Sequence, residues 1–404
     1  MSDTKMGYIE QSQAAGRHIL PDLVRAFALF GIVLVNVAYF AYPGEITYYY
    51  GDLTSALDKS AYFGVNSLFL FKSYTLFSFM FGAGLAYQMM SAERRGIAFS
   101  PRYFRRLIGL ILLGIAHVTF GFVGDILIIY AVLGALLFFF RHRKVKTLLR
   151  WGISLVTLQI LIAFFGAFGF HMGQVYDPEG MAQMATEMQV IMDKAAQTYT
   201  QGSFGDIMLQ RWTDWKGYIG FAAAYQGPGV LGFFLLGLAA VKSGVLNDAS
   251  APLWGKARKF YLPLGLVISI IGAFVSHIST DPMSPLGMVG MAIIMLGAPF
   301  SSLGYLGWLA KWSEGPMTKI KIFMARGGTS SLTAYLMQSL ILSFIFCAYG
   351  LGLYGQIGAA GCIAIAAMTG IITLGFSSLW RKKFTRGPME YLLRGWTYWG
   401  RNNS

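Results

Sequence analysis

Residues 104–140 read FRRLIGLILLGIAHVTFGFVGDILIIYAVLGALLFFF. These are two apolar stretches of helix length, parted by a short turn from Gly121 to Gly124. Such a run is too apolar for a solvated helix pair, and it carries polar groups at defined places. Arg106 precedes His117 by eleven positions, close to three turns at 3.6 residues per turn, so both project from one helix face. At about 1.5 Å per residue they stand roughly 16 Å apart, half the thickness of a bilayer core. The same spacing separates Arg25 from Asn36 in the first apolar run. Each face thus holds a cation near one end and a hydrogen-bonding group deep inside. Polar groups held within a membrane mark functional sites by default.

The rest of the chain fits this reading. It has 404 residues, of which 55% are hydrophobic and 12% charged, and its mean hydropathy is +0.55. Runs of about 20 apolar residues recur, the length needed to cross a bilayer as a helix. The predicted class is an all-α, polytopic membrane bundle of about ten spans: 22–42, 67–89, 104–122, 124–140, 151–171, 228–244, 259–278, 285–306, 329–349 and 357–379. The first twenty residues are polar and the first apolar run is too long for a signal h-region, so no cleavable signal peptide is expected. Cys347 and Cys362 lie in apolar runs, which predicts neither a disulfide framework nor a metal site.

The net charge of +14 does not point to nucleic acid, because the cations sit in short loops between spans rather than in a basic groove or motif. Alternate loops hold Arg94, Arg95, Arg102, Arg105 and Arg106, then Arg141, Arg143, Lys144, Lys146 and Arg150, then Lys242, Lys256, Arg258 and Lys259, then Lys311, Lys319, Lys321 and Arg326. The intervening loops carry acids such as Glu45, Asp52, Asp58, Asp177, Glu179 and Asp214 instead. The positive-inside rule then puts both termini in the cytoplasm. The predicted organisation is a cytoplasmic segment (1–21), a five-helix half (22–171), an outer segment (172–227), a second five-helix half (228–379) and a basic interfacial tail (380–404). No internal repeat is evident. The outer segment contains an acidic, Met-rich stretch, Pro178 to Lys194, and the aromatic residues Trp212, Trp215 and Tyr218. It is either a cover over an outer cavity or a connector lying on the membrane. In the tail, six cations from Arg381 to Arg401 mix with Tyr391, Leu392, Leu393, Trp396 and Tyr398, the composition of an interfacial helix on an anionic leaflet.

Several deep polar residues are candidates for chemistry. His117 suits a general base near neutral pH; its structural alternative is a packed histidine bonded to a neighbouring helix. Asp125 suits a carboxylate that orients the histidine, and equally a helix N-cap. Arg25 and Arg106 suit phosphate binding, or snorkelling to headgroups. Asp22 either pairs with Arg25 or caps the first helix. Arg102, Arg105 and Arg106 form a dense cationic patch. Lys72 stands inside the second apolar run and must face protein or water rather than lipid. Ser78 and Gly82 are a small-xxx-small pair of the kind that brings helices close. Ser331, Tyr335, Gln338 and Ser339 form a polar stripe that either lines a cavity or bonds neighbouring helices. No Walker loop, HExxH or GxSxG context is present.

Taken in order, these motifs resemble the YeiB-like family of bacterial membrane proteins (domain of unknown function 418). The likeness runs from about Leu20 to Tyr398. It rests on DLVRAFALFGIVLVN, on Lys72 with LFSFMFGAG, on RRLIGLILLGIAH followed by GDILIIYA (which holds Arg106, His117, Gly124, Asp125 and Tyr130), and on GFFLLGLAAVKSGVL, SSLTAYLMQS and GPMEYLLRGWTYW. One position departs: the family motif of the ninth span has an arginine after glycine, where this chain has Thr329 after Gly328. The family is similar to transmembrane acyltransferases, including the heparan-glucosaminide acetyltransferases, which pass an acyl group from cytosolic acyl-CoA to an acceptor at the opposite face. In the sugar acyltransferases of that group the Arg-x10-His arrangement lies in the first span, where this chain has Arg25 and Asn36.

The resemblance implies a bacterial inner-membrane acyltransferase using acetyl-CoA or another acyl-CoA. Arg25, Arg102, Arg105 and Arg106 would hold the CoA phosphates, His117 and Asp125 would be base and orienter, and Asn36 or Lys72 would steady the oxyanion. Ser78, Tyr130, Ser331, Tyr335 and Gln338 would line the cavity. Expected partners are membrane lipids and a small-molecule, glycan or lipid-linked acceptor; a homodimer is compatible with the sequence. A transporter or flippase for a small polar or lipid-linked substrate remains the alternative, since the same buried groups would line a path. A non-catalytic membrane partner is the third reading.

Overall fold

A computed structural model describes residues 19–42, 55–279 and 284–398. Every regular element among them is helical. Pro21 in the first turn suits helix initiation, and α1 runs over Leu20–Ala41 as one of the two most enclosed spans of the bundle. α2 (Ala56–Leu68) and α3 (Lys72–Arg94) form one long crossing interrupted at Phe71, a non-glycine residue in the left-handed region with φ 62°. The crossing predicted over 67–89 therefore begins earlier in the chain and contains a break.

α4 (Ser100–Phe120) and α5 (Leu127–Phe139) are the two halves of the decisive stretch. α5 has only 13 residues, about 20 Å at 1.5 Å per residue against a core of roughly 30 Å. It is cut short by the glycine-rich turn on one side and by the basic turn at Arg141–Lys144 on the other.

α6 (Val145–Tyr176) presents Trp151, Ile153, Leu158, Leu161, Phe165 and Phe168 outward, as a lipid-facing helix does. The segment expected as an outer cover or connector with an amphipathic stretch folds into two helices. α7 (Pro178–Gln201) is capped by Asp177 and largely exposed, with Ala195 its buried residue. α8 (Phe204–Tyr225) opens on a Ser203/Asp206 capping box and bends by 56° into α9 (Gly227–Lys242).

In the second half, α10 (Pro252–Lys256) continues through one π-helical turn into α11 (Leu262–Ile278), which lies along α12 (Pro285–Glu314). Gly265 and Gly272 of α11 face Gly297 and Gly290 of α12 so closely that a Cβ on any of the four would fall within 3 Å of the opposite backbone. Small residues permit such contact, and membrane helices associate through it because lipid gives them no hydrophobic drive to pair. α13 (Lys319–Gly328) and α14 (Ser331–Phe346) meet at 86°, and α15 (Ala359–Trp380) and α16 (Pro388–Tyr398) close the chain.

Seven helical stretches among the described residues are long and apolar enough to cross a bilayer, or nine if each bent pair crosses once; α5 is the short apolar helix beside them. Each of the ten predicted spans thus falls on a helix, and the fourth, 124–140, is the one too short for an ordinary crossing. The chain is a multi-pass membrane helix bundle. α1 is at its centre, packed against α3, α13, α14 and α15.

Candidate functional site

The N-terminal ends of α1 and α4 and the C-terminal half of α3 meet at one end of the bundle, and a cavity of about 570 Å³ opens there. Its mouth is strongly cationic. Arg25, Arg95, Arg102, Arg106, Arg386 and Arg394 line it, with Glu390 as the carboxylate among the lining residues. Farther in, Phe77, Met80, Phe81, Leu107, Leu110 and Leu127 form an apolar throat that ends at Tyr130 and Tyr335. The volume lies in the range of ligand sites, roughly 300–1,000 Å³.

Arg25 pairs with the buried Asp22, Nη1 to Oδ1 at 3.1 Å, so Asp22 serves as the partner of Arg25. Among the described residues, no carboxylate lies within ion-pair distance of Arg95, Arg102, Arg106, Arg386 or Arg394. Arg102 donates to the Ala98 carbonyl at 2.7 Å and leaves its buried Nε without an acceptor. Much of the Arg386 side chain is exposed, yet desolvation of its guanidinium, and after that the neighbouring Arg394, lower its pKa from the ordinary arginine value. So many guanidiniums around one opening, short of carboxylates, make the potential at the mouth strongly positive.

His117 and Asp125 lie beyond the inner end of the throat. Both are buried, with His117 Nδ1 2.6 Å from Asp125 Oδ2. The other Asp125 oxygen accepts the Ile128 amide at 3.0 Å. Asp125 therefore holds a first-turn amide of α5 and lies against the histidine at once, two roles that the sequence allowed together. A proton on Nδ1 directed at the carboxylate leaves the lone pair on Nε2, which is buried and has no hydrogen-bond partner among the described residues. His117 does not itself line the cavity. Its ring packs on Tyr335, centroids 4.9 Å apart, and Tyr335 does line it.

The predicted site residues divide accordingly. Arg25, Arg102, Arg106, Tyr130, Ser331 and Tyr335 come together around the cavity. Ser78 reaches it through Tyr130, their hydroxyls 2.6 Å apart. Arg105 does not join them: its side chain is exposed, and its carbonyl accepts the Trp396 indole at 2.8 Å. Gln338 is tied instead to the Leu29 carbonyl and the Thr373 hydroxyl, at 3.5 and 3.4 Å, stitching α14 to α1 and α15. Lys72 is enclosed at the α2–α3 break, where Nζ donates to the Asn66 carbonyl at 3.2 Å. Asn36 is partly exposed on α1. Neither Lys72 nor Asn36 lines the cavity, so the arrangement gives neither of them contact with a ligand held there.

The sequence reading missed the contribution of the tail. Arg386 and the α16 residues Glu390, Leu393, Arg394, Thr397 and Tyr398 all line the cavity. Those five recur at i, i+3, i+4, i+7 and i+8, a helical stripe that was visible in PMEYLLRGWTY but was outweighed by the overall basic, aromatic composition. It also missed Arg211, buried on α8. There Nη1 donates to the Thr119 carbonyl at 3.2 Å and Nη2 to the Tyr349 hydroxyl at 3.0 Å and to the Ser343 hydroxyl.

The fold and the site define a class: a multi-pass membrane protein whose helix bundle encloses an arginine-mouthed, aromatic-throated cavity. Comparison with known proteins supplies the family. The family profile described as "Protein of unknown function (DUF418)" matches residues 240–400. The chain is 33% identical to the uncharacterized protein YxaH of Bacillus subtilis (strain 168) over 393 residues, 93% of each chain. It is 26% identical to the uncharacterized protein YeiB of Escherichia coli (strain K12), covering 94% of this chain and 95% of that protein. An uncharacterized 39.9 kDa protein from the amylase 3′ region of Bacillus acidopullulyticus is 23% identical over 383 residues. The chain belongs to the DUF418 family, alongside YxaH and YeiB. No solved structure matches it.

Proposed function

We propose that the protein is a transmembrane acyltransferase that takes an acyl group, with acetyl as the first candidate, from acyl-CoA and passes it to an acceptor hydroxyl or amine. The observation that carries this reading is the polarity gradient of the cavity. Its mouth is ringed by arginines, its throat is apolar and aromatic, and its inner end lies against Tyr335, behind whose ring the His117–Asp125 pair is packed. An acyl-CoA has the matching gradient, with phosphates at one end and a thioester on a long, weakly polar arm at the other. The arginines hold the phosphates through charge-assisted contacts. Arg106 and His117 are eleven residues apart on α4, so the arm has roughly 16 Å to span.

In the reaction the acceptor O–H or N–H gives its proton to His117 Nε2, and the oxygen or nitrogen attacks the thioester carbonyl. The C–S bond breaks, and the departing thiolate takes the proton back from the imidazolium. Asp125 holds the imidazole in the required tautomer and balances its transient charge. Because His117 lies behind Tyr335, the step requires the Tyr335 ring to move aside. The positive-inside pattern of the loops supports an orientation with the arginine mouth in the cytosol, where acyl-CoA is found, and the His117 end toward the outer half of the bacterial inner membrane. The acceptor is then a small molecule or a glycan- or lipid-linked species reaching that half.

One observation favours a second reading. Besides the break at Phe71, two crossings are bent sharply, by 56° and 86°, and discontinuous helices are a recurring feature of transporters. A transporter or flippase of a phosphorylated or lipid-linked substrate would use the same arginines. Calorimetry of acetyl-CoA binding to the purified protein, with Arg106→Ala as control, tests the first reading. Binding that the variant loses, together with acyl transfer that His117→Ala abolishes without loss of binding, is the expected result. Folded protein that binds neither acetyl-CoA nor longer acyl-CoAs would overturn it in favour of transport.

A further inference from the structure

The tail helix α16 is seated at three places. The Glu390 carboxylate accepts from the Leu332 amide at 2.8 Å, the Thr333 amide at 3.3 Å and the Thr333 hydroxyl at 2.6 Å, satisfying the first free amides of α14 just past its 86° break. Leu393 and Trp396 pack over Gly109 of α4, where a Cβ would fall 2.7 and 2.8 Å from their side-chain carbons. Tyr398 sits between two guanidiniums, with Arg394 4.5 Å and Arg102 5.5 Å from its ring centroid. Away from these contacts the helix carries the exposed Tyr391 and Leu392. One stripe thus faces the cavity while the other is left for the membrane interface.

Two of the six arginines at the mouth, Arg386 and Arg394, are brought there by this segment. Residues 381–387, which join α15 to α16, are turn and bend rather than helix. Docking α16 onto α4 brings the guanidiniums of Arg386 and Arg394 toward those of Arg102 and Arg106. That repulsion opposes docking, and an anion bound between them removes it.

We infer that α16 is a closing strap forming half of a polyphosphate site, so that its docking and the binding of a ligand with two or more phosphate groups reinforce each other. This rests on the reading of the cavity as the seat of a phosphate-bearing ligand, and it adds Arg386, Arg394 and Tyr398 to the residues that select that ligand. A ligand that binds only the docked state must shift the strap toward docking, and anything that undocks the strap must weaken the ligand by the same factor.

Gly387 provides the lever. A Cβ there would lie 2.2 Å from Glu390 Oε2 and 2.6 Å from Thr333 Oγ1, so Gly387→Ala pushes the carboxylate off α14. Gly395→Ala is the control, since its Cβ would meet nothing within 4 Å. The experiment is hydrogen exchange of amides 388–398 in the purified full chain, alone and with acetyl-CoA or inorganic tripolyphosphate, alongside the dissociation constant of each probe.

The expected result is slower exchange in α16 with either probe. Gly387→Ala should exchange faster and bind at least about tenfold more weakly, the effect of losing one or two charge-assisted contacts, while Gly395→Ala should match the wild type. Wild-type affinity in Gly387→Ala, or α16 exchange indifferent to a bound probe, would overturn the strap and leave the acyltransferase reading standing. Tripolyphosphate binding with slowed exchange but no acetyl-CoA binding would uphold the strap and overturn that reading. Binding of neither probe would overturn both.

Discussion

Asp125 holds His117 with one oxygen and helix α5 with the other: Oδ2 lies 2.6 Å from His117 Nδ1, and Oδ1 accepts the Ile128 amide at 3.0 Å. The two roles separate by substitution. Asp125→Asn keeps an oxygen for the cap but loses the charge that fixes the imidazole tautomer. Acyl transfer should fall by about 10²–10⁴-fold, the range of a general base, with little change in the thermal midpoint. Asp125→Ala loses both, and should cost a further ~1 kcal/mol for the cap and about 1–3 kcal/mol for the unpaired ring nitrogen. Thermal unfolding in detergent beside a transfer assay checks the order. Equal midpoints for the two variants would show that the cap contributes nothing.

Arg211 ties the bent α8–α9 crossing to the ends of α4 and α14, through the Thr119 carbonyl, the Ser343 and Tyr349 hydroxyls and, at 3.5 Å, Cys347 Sγ. Thr119 is two residues beyond His117, so this tether also fixes the height of the histidine. Arg211→Met leaves several buried acceptors without their donor and should destabilise the protein by about 3–6 kcal/mol, the sum of two charge-assisted bonds. Arg211→Lys should recover only part of that loss, because an ammonium cannot reproduce the guanidinium fork. The midpoint of thermal unfolding reads both, and full recovery with lysine would contradict the geometric argument.

Gly82 and Gly237 mark two equally close approaches of α3 and α9. A Cβ on Gly82 would lie 1.9 Å from the Phe234 carbonyl oxygen, which is backbone and cannot swing away. Gly82→Ala should therefore cost about 1–3 kcal/mol by forcing the helices apart. Gly64→Ala, where a Cβ meets nothing within 4 Å, should cost nothing. A midpoint for Gly82→Ala within error of the wild type would mean that α3 and α9 are not held this close.

What was legible in the sequence follows from which forces act locally. Apolar run length placed a helix at every predicted span, because a backbone in lipid has no partners but its own. The eleven-residue spacing put Arg106 and His117 on one helix, and the Gly121–Gly124 turn placed Asp125 within reach of the histidine. Breaks were less legible. Phe71 adopts a left-handed conformation with no glycine to announce it, and the turn at Thr329–Ser330 is stabilised by Glu390, some 60 residues away. The same distance hid the tail: composition placed 380–404 at the interface, while its inner stripe answers to α4 and α14. Lys72 and Arg106 look alike as intramembrane cations, yet one faces a carbonyl at a helix break and the other a cavity, a difference set by neighbours that are remote in sequence.

Tyr335 shows how stability and function can oppose each other at one atom. Its ring lines the cavity on one side and packs on His117 on the other, while its buried hydroxyl makes no hydrogen bond of full geometry among the described residues, the Ile126 amide being at most a weak donor to it. A buried, unbonded hydroxyl costs about 1–3 kcal/mol relative to one that is paired or absent. Tyr335→Phe keeps the ring and removes that cost, so its thermal midpoint should rise. Bonding of the hydroxyl to a bound ligand or to the attacking group is the reason to retain it, and the same variant should then lose affinity or transfer rate by about tenfold, one hydrogen bond's worth. Tyr335→Ala also removes the ring and should cost about 3–5 kcal/mol as a large cavity forms in the core. Unfolding curves and a binding isotherm for the phenylalanine variant decide the matter. A lowered midpoint would mean that the hydroxyl is already bonded in the free protein, and a raised midpoint with unchanged binding and transfer would mean that Tyr335 contributes only its ring.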